Sequence, residues 1–190
     1  MTAFNAIARL AAEPHSAPVT HWGPRLAFTF ITVAVIALAV WGMRRSWEKK
    51  ARQFAHLPAP AAQAPSDVTW TAGPVEARFA GTTTTGQWLN RVVTHNLGTP
   101  RGVQVSVSPQ GLLLTDETDF RLWIPTQDIV AVRTGRGIAG DVVEPDGMII
   151  VSWTLGDTTL DSGIRVSRNA DHEQVLGELT HLVTQLEETA

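Results

Sequence analysis

The chain has 190 residues with no cysteine and no tyrosine, which excludes disulfides, thiolate nucleophiles and cysteine-ligated zinc or iron–sulfur centres. Its net charge of −3 joins two parts of opposite sign: residues 1–65 hold seven Lys and Arg against two acids, and residues 66–190 hold eight Arg, no Lys and sixteen acids. A basic front on an acidic body indicates two regions with different surroundings, and the acidic body would repel a nucleic-acid backbone.

A short N-terminal tail, residues 1–25, leads into LAFTFITVAVIALAVWGM, eighteen residues from Leu26 to Met43 without a charge. That is the short end of what spans a bilayer. Trp22 and Trp41 lie nineteen residues apart near its ends, about 28 Å along a helix, where indoles favour the headgroup boundary. The segment has no polar face, unlike a helix packed on a soluble core. A cleaved signal peptide would be followed promptly by small residues. Here RRSWEKKAR follows, and Ala62-Gln63-Ala64 comes some twenty residues too late for cleavage. The reading is an uncleaved transmembrane helix over 26–43.

Arg44, Arg45, Lys49, Lys50 and Arg52 follow the span, whereas only Arg9 and Arg25 precede it. The positive-inside rule then places the N-terminus outside and the C-terminal domain in the cytoplasm, on the inner membrane of the cell. The cationic cluster should lie on anionic lipid. Trp22, Trp41 and these five cations are the expected anchoring residues, with the lipid bilayer as their partner.

Residues 44–66 read as a basic juxtamembrane segment and a semi-rigid linker, FAHLPAPAAQAPS, with three prolines. A domain is expected over 67–190. Strands are expected at 75–81, 103–107, 112–115, 120–124, 129–133, 148–155 and 159–166. The clearest is the alternation of Val103, Val105 and Val107 with polar residues. Gln87–Leu97 shows helical spacing ended by Gly98, and the spacing predicts a short helix there. Trp88, Trp123 and Trp153 are expected in the core. The chain closes on an amphipathic helix with one stripe of Val175, Leu176, Leu179, Leu182, Val183 and Leu186. The fold class is a mainly-β barrel or sandwich closed by that C-terminal helix, behind an N-terminal transmembrane helix.

The stretch GRGIAGDVVEPDG matches G-x-G-x-x-G at Gly135, Gly137 and Gly140. A dinucleotide loop must open a helix whose amides meet the pyrophosphate. Here four residues lead into the turn Pro145-Asp146-Gly147, too few for a crossover of a dozen or more. The motif is expected to connect two antiparallel strands and to bind no nucleotide. Asp171, His172 and Glu173 are consecutive, so they diverge on a helix start and serve as cap and dipole partners. His172 and His181 are nine residues apart and do not converge on one metal. His95 is expected as a solvated or capping histidine, and Ser162 in LDSG lacks the flanking glycine of a nucleophile elbow. The expectation is no catalytic residues, no cofactor and no metal.

Several pieces in order carry a resemblance over residues 75–168. Gly81-Thr82-Thr83 precedes Trp88-Leu89-Asn90-Arg91-Val92. Gly111 opens an apolar strand, and Ile124-Pro125 and Gly137-Ile138-Ala139-Gly140 follow. Asp146-Gly147 precedes a strand, then come Trp153-Thr154-Leu155-Gly156-Asp157 and Gly163-Ile164-Arg165. Together they resemble the bacterial PH-like domain of small single-pass membrane proteins of actinobacteria. The resemblance implies a transmembrane helix joined to a PH-like barrel with a C-terminal helix, and no established catalytic residues. The expected function is a membrane-anchored, non-enzymatic binding or scaffold module for an unknown cytoplasmic or membrane protein. Its candidate surfaces are the loop with Arg133, Arg136, Gly137 and Gly140 and the exposed sheet edge. Two alternatives stand beside it: a sensor of anionic lipid headgroups or small ligands through Arg133 and Arg136, and an accessory subunit of a membrane transport or enzyme complex. The absence of Lys from the domain weighs against phosphoinositide-type binding.

Overall fold

A computed structural model describes residues 22–189; the tail up to residue 21, including Arg9, lies outside the described residues. The chain forms two compact units that divide between Trp47 and Glu48. A long helix, α1, runs over Trp22–Gln53. Its stretch Arg25–Ser46 is long and apolar enough to cross a membrane, and none of it is buried against protein. Thr29 and Thr32 donate their hydroxyls to the carbonyls of Arg25 and Phe28, one turn back. The two threonine hydroxyls of the apolar run are therefore satisfied within the helix.

The second unit is an antiparallel sheet with a helix. Its strands are β1 (Ala72–Thr84), β2 (Arg101–Ser108), β3 (Gly111–Thr115), β4 (Arg121–Pro125), β5 (Ile129–Gly135), β6 (Gly137–Ile138), β7 (Asp141–Val142), β8 (Met148–Leu155) and β9 (Thr158–Val166), and helix α2 covers Asn169–Thr189. Seven strands form one sheet in the order β4-β3-β2-β1-β9-β8-β5, and β6 pairs with β7 alone. Strands β4 and β5 end the sheet without pairing to each other. The architecture is therefore sandwich-like rather than a closed barrel.

Binary pattern explains the main core. Val103, Val105 and Val107 point inward from β2, Ile149, Val151 and Trp153 from β8, and Leu160 and Ile164 from β9. Helix α2 lays Val175, Leu179 and Leu182 onto this surface with Leu176 and Val183 at its margins, five of the six residues of the stripe read from spacing; the sixth, Leu186, is half-buried. Trp153 and Trp123 are buried as expected. Gly177 lies mid-helix with open space where a Cβ would stand. Gly177→Ala is expected to stabilise the domain by about 0.5–1 kcal/mol, because alanine loses less backbone entropy on entering a helix. A rise in melting temperature of the full chain in detergent checks it.

Two stretches differ from the sequence reading. Gln87–Leu97 is not a helix. It contains turns and a single 3₁₀ turn over Thr94–Asn96, where His95 and Asn96 take positive φ. Trp88 is 54% exposed, against its expected place in the core. The cause is β1, which has 13 residues to the 8 of β2. Beyond Phe79 its β2-side edge has no strand partner, and buried backbone groups there need bonds. The 87–97 segment supplies them: Val92 N–H donates to Thr82 O and Thr82 N–H to Leu97 O.

The second difference is the linker. Phe54 and Leu57 are 2% and 4% exposed and belong to the main core. Further along, Trp123 N–H donates to Ala61 O at 2.7 Å. Residues 54–61 are thus a strap on the domain. Proline removes a donor but leaves carbonyls free to accept, so a proline-rich segment can still be held from one side.

Candidate functional site

The glycine stretch connects β5 to β8, which pair antiparallel from Ile129↔Trp153 to Gly135↔Met148. Between them Gly137↔Val142 and Ile138↔Asp141 form a small hairpin. Its turn residues Ala139 and Gly140 both have positive φ, 55° and 80°, as a type I′ turn requires. A Cβ on Gly137 would stand 2.4 Å from the Asp141 carbonyl oxygen. The glycines serve the turn and a close strand approach.

The hairpin folds over the back of the sheet. Ile138 is buried with Ala80, Met148 and Ile150, directly over Gly163, where a Cβ would lie 2.1 Å from the Ile138 Cγ2. Two ion pairs hold its flanks: Arg78–Asp141 and Arg165–Glu144, each at 3.1 Å. The Glu144 carboxyl lies below the usual carboxylate range, chiefly through its own backbone amide and then through Arg165, against partial desolvation. Ala139 N–H donates to Trp88 O at 2.7 Å. The Arg91 guanidinium, set beneath, donates to the carbonyls of Gly98 and Ala139.

Arg136, Gly137 and Gly140 therefore sit together at this tip, but Arg133 does not. Arg133 donates to Asp161 Oδ2 at 2.9 Å. Asp161 is 4% exposed, and its other oxygen accepts from Ser152 Oγ at 2.7 Å and Thr85 Oγ1 at 3.0 Å. The three donors compensate a buried charge and tie edge strand β5 across β8 to β9. Ser162, the next residue, points to the opposite face. There its hydroxyl accepts from the Trp153 indole at 2.9 Å and bonds Thr82 Oγ1 at 2.7 Å. Asp171 pairs with Arg168 at 2.7 Å in the first turn of α2. Among the described residues, no group of three or more His, Asp and Glu side chains converges as a metal set.

Elsewhere a shallow groove of about 660 Å³ is lined by residues that include Glu76, Arg101, Gln104, Asp116 and Glu117. Arg101 lies 3.2 Å from Asp116 and 4.3 Å over the Phe120 ring. The Asp116 carboxyl is held below its ordinary value, first by the Thr118 hydroxyl and then by the amides of Phe120 and Thr118 and by Arg101, against desolvation. The acidic majority on this groove does not suit an anionic ligand.

The sheet edges differ from each other. The β4 edge is covered where Ala61 bridges to Trp123. The outer edge of β5 pairs with no strand among the described residues, and Val130 on it is 54% exposed. An unpaired row of N–H and C=O groups is a template for a further strand. On α1, Trp22 and Trp41 are 65% and 61% exposed, and the Arg45 guanidinium lies 5.7 Å over the Trp41 ring. Arg44 is exposed, and Lys49, Lys50 and Arg52 fall on the last turns of the helix.

Sequence reasoning missed Asp161 and the outward Trp88 and Leu89. Gly86, at φ 79°, marked a turn rather than a helix start, and it was the available signal for the last two. Residues 55–180 match the family described as Bacterial PH domain-like, and no curated protein matches the chain.

Proposed function

Because the chain belongs to the bacterial PH domain-like family, we propose that it is a membrane-anchored binding module, with α1 in the inner membrane and the PH-like domain on the cytoplasmic side. It works by holding a protein or peptide partner near the inner leaflet and not by catalysis. One observation carries the binding surface: the sheet has two ends, one covered by the chain's own strap at Ala61 and the other, β5, paired on its outer edge with no strand among the described residues. An extended segment of a partner adds to β5, and anchoring raises the effective concentration of the module for partners in the same membrane. The rival sensor reading is weakened because the Arg133 guanidinium is held by Asp161, which leaves Arg136 alone of the pair.

Topology and binding are tested in cells with the full-length chain. A C-terminal reporter is expected to be active only inside the cell; activity only outside overturns the orientation. A photo-crosslinking residue at Val130 is expected to give a discrete adduct with another polypeptide, and one at exposed Asp157, on the β8–β9 turn, is expected to give none. Equal labelling at the two positions, or none at either, removes β5 as the binding edge.

A further inference from the structure

The charged and apolar residues of the domain surface are not evenly spread. Among the described residues of the second unit, five large hydrophobic side chains are exposed: Trp70, Trp88, Leu89, Val130 and Val142. Three of these, Trp88, Leu89 and Val142, lie on the two segments joined by the Ala139–Trp88 backbone bond. The outward placement is built in. Trp88 and Leu89 form the crown of a turn closed by Gln87 N–H to Thr84 O at 3.0 Å and Asn90 N–H to Gln87 O at 2.8 Å. The Asn90 side chain adds a bond to Thr84 Oγ1, and the Arg91 guanidinium fastens the turn to the hairpin through the Ala139 carbonyl.

Charge marks the same place. Arg78, Arg91, Arg136 and Arg165 stand there against Asp141, Glu144 and Asp146, whereas residues 66–190 as a whole carry twice as many acids as arginines. Asp141 and Glu144 are each matched by an arginine. Arg136 is exposed and enters none of the five ion pairs among the described residues. The tip is thus a locally cationic point on an acidic domain, crowned by an indole and two aliphatic side chains.

We propose that this tip, Trp88 and Leu89 with Val142 and Arg136, docks on a bilayer that contains anionic lipid. The indole sits at the headgroup boundary, the aliphatic side chains reach the start of the acyl region, and Arg136 meets lipid phosphate. Three apolar residues and one cation bind weakly alone. They suffice here because the transmembrane helix already holds the domain at the surface, so docking is intramolecular in effect. The inference rests on the membrane-anchored reading above and is separable from it.

The absence of cysteine from the chain makes a clean test possible. Full-length L89C and Q127C variants, labelled with an environment-sensitive fluorophore, are reconstituted in vesicles of phosphatidylethanolamine and phosphatidylglycerol that carry nitroxide-labelled lipid. Gln127 is exposed in the short turn before β5, away from the tip in sequence and in strand pairing. Resistance to carbonate extraction confirms insertion of α1 in each sample, and its loss would defeat the anchor reading instead. The label at position 89 is expected to be blue-shifted and quenched by the lipid nitroxide, and the label at 127 is not. Adding Arg136→Gln is expected to lower the docked-to-undocked ratio at position 89 about fivefold, the equivalent of about 1 kcal/mol for one cation at an anionic surface. Equal quenching at 89 and 127 in carbonate-resistant samples overturns the proposal, as does an unchanged signal at 89 when phosphatidylcholine replaces the anionic lipid and Arg136 is neutralised.

Discussion

Phe54→Ala is expected to destabilise the domain by about 3–5 kcal/mol, the usual cost of truncating a buried aromatic. Phe54 is 2% exposed and joins the main core together with Leu57. A free Ala- and Pro-rich linker would give no effect, since substitutions outside such features usually stay within about 0.5 kcal/mol. The two descriptions of this segment therefore differ by several kcal/mol against a typical stability of about 5–15 kcal/mol. In thermal unfolding of the full chain in detergent, followed by tryptophan fluorescence, the melting temperature should fall by roughly 10 °C. Gln63→Ala, at an exposed position two residues past the bridge at Ala61, should melt with the parent. If Phe54→Ala also melts with the parent, residues 54–61 are not a strap on the domain, and the β4 edge is open like β5.

The second large effect belongs to α2. Leu179 is wholly buried at the centre of the stripe, with Val175 one turn before it and Leu182 one turn after. The sheet is open between β4 and β5, so its inner face depends on the helix for apolar cover. A core leucine truncated to alanine loses its transfer free energy and leaves a cavity, about 2–5 kcal/mol in all. Leu179→Ala should lower the melting temperature strongly, and His181→Ala, exposed on the opposite side of the helix, should not. If both variants melt with the parent, the helix is not part of the core and is free to engage a membrane or partner.

The pieces of the fold legible in the sequence are those with local causes. The apolar run of α1 has no polar face and is long enough to cross a membrane. The alternation of Val103, Val105 and Val107 and the stripe of α2 reappear as buried faces. Asp141–Asp146 is too short for a helix, and the chain there turns back as a hairpin. In each case the period of side-chain direction, 2.0 or 3.6 residues, or the conformational preference of glycine acts within a few residues and needs no distant contact.

What only the tertiary structure decided depends on pairings across the chain. Gln87–Leu97 carries helical spacing, yet the unpaired end of β1 recruits its backbone, and an edge in need of bonds outweighs a weak local preference. The prolines of 54–66 rule out regular structure but do not say whether Phe54 finds a core. It does, because Phe54 and Leu57 are covered once the strands are assembled. The candidate site divides in the same way. Arg133 and Arg136 look equivalent three residues apart, but Arg133 meets Asp161, 28 positions on, across β8. Trp88 reads as a core residue by type and stands at the surface, on a turn that the unpaired end of β1 recruits and whose Trp88 carbonyl accepts from Ala139 N–H, 51 residues later. Periodicity reports which way a side chain points relative to its neighbours in sequence; whether that side finds protein or solvent is set by strands that come together only in the folded sheet.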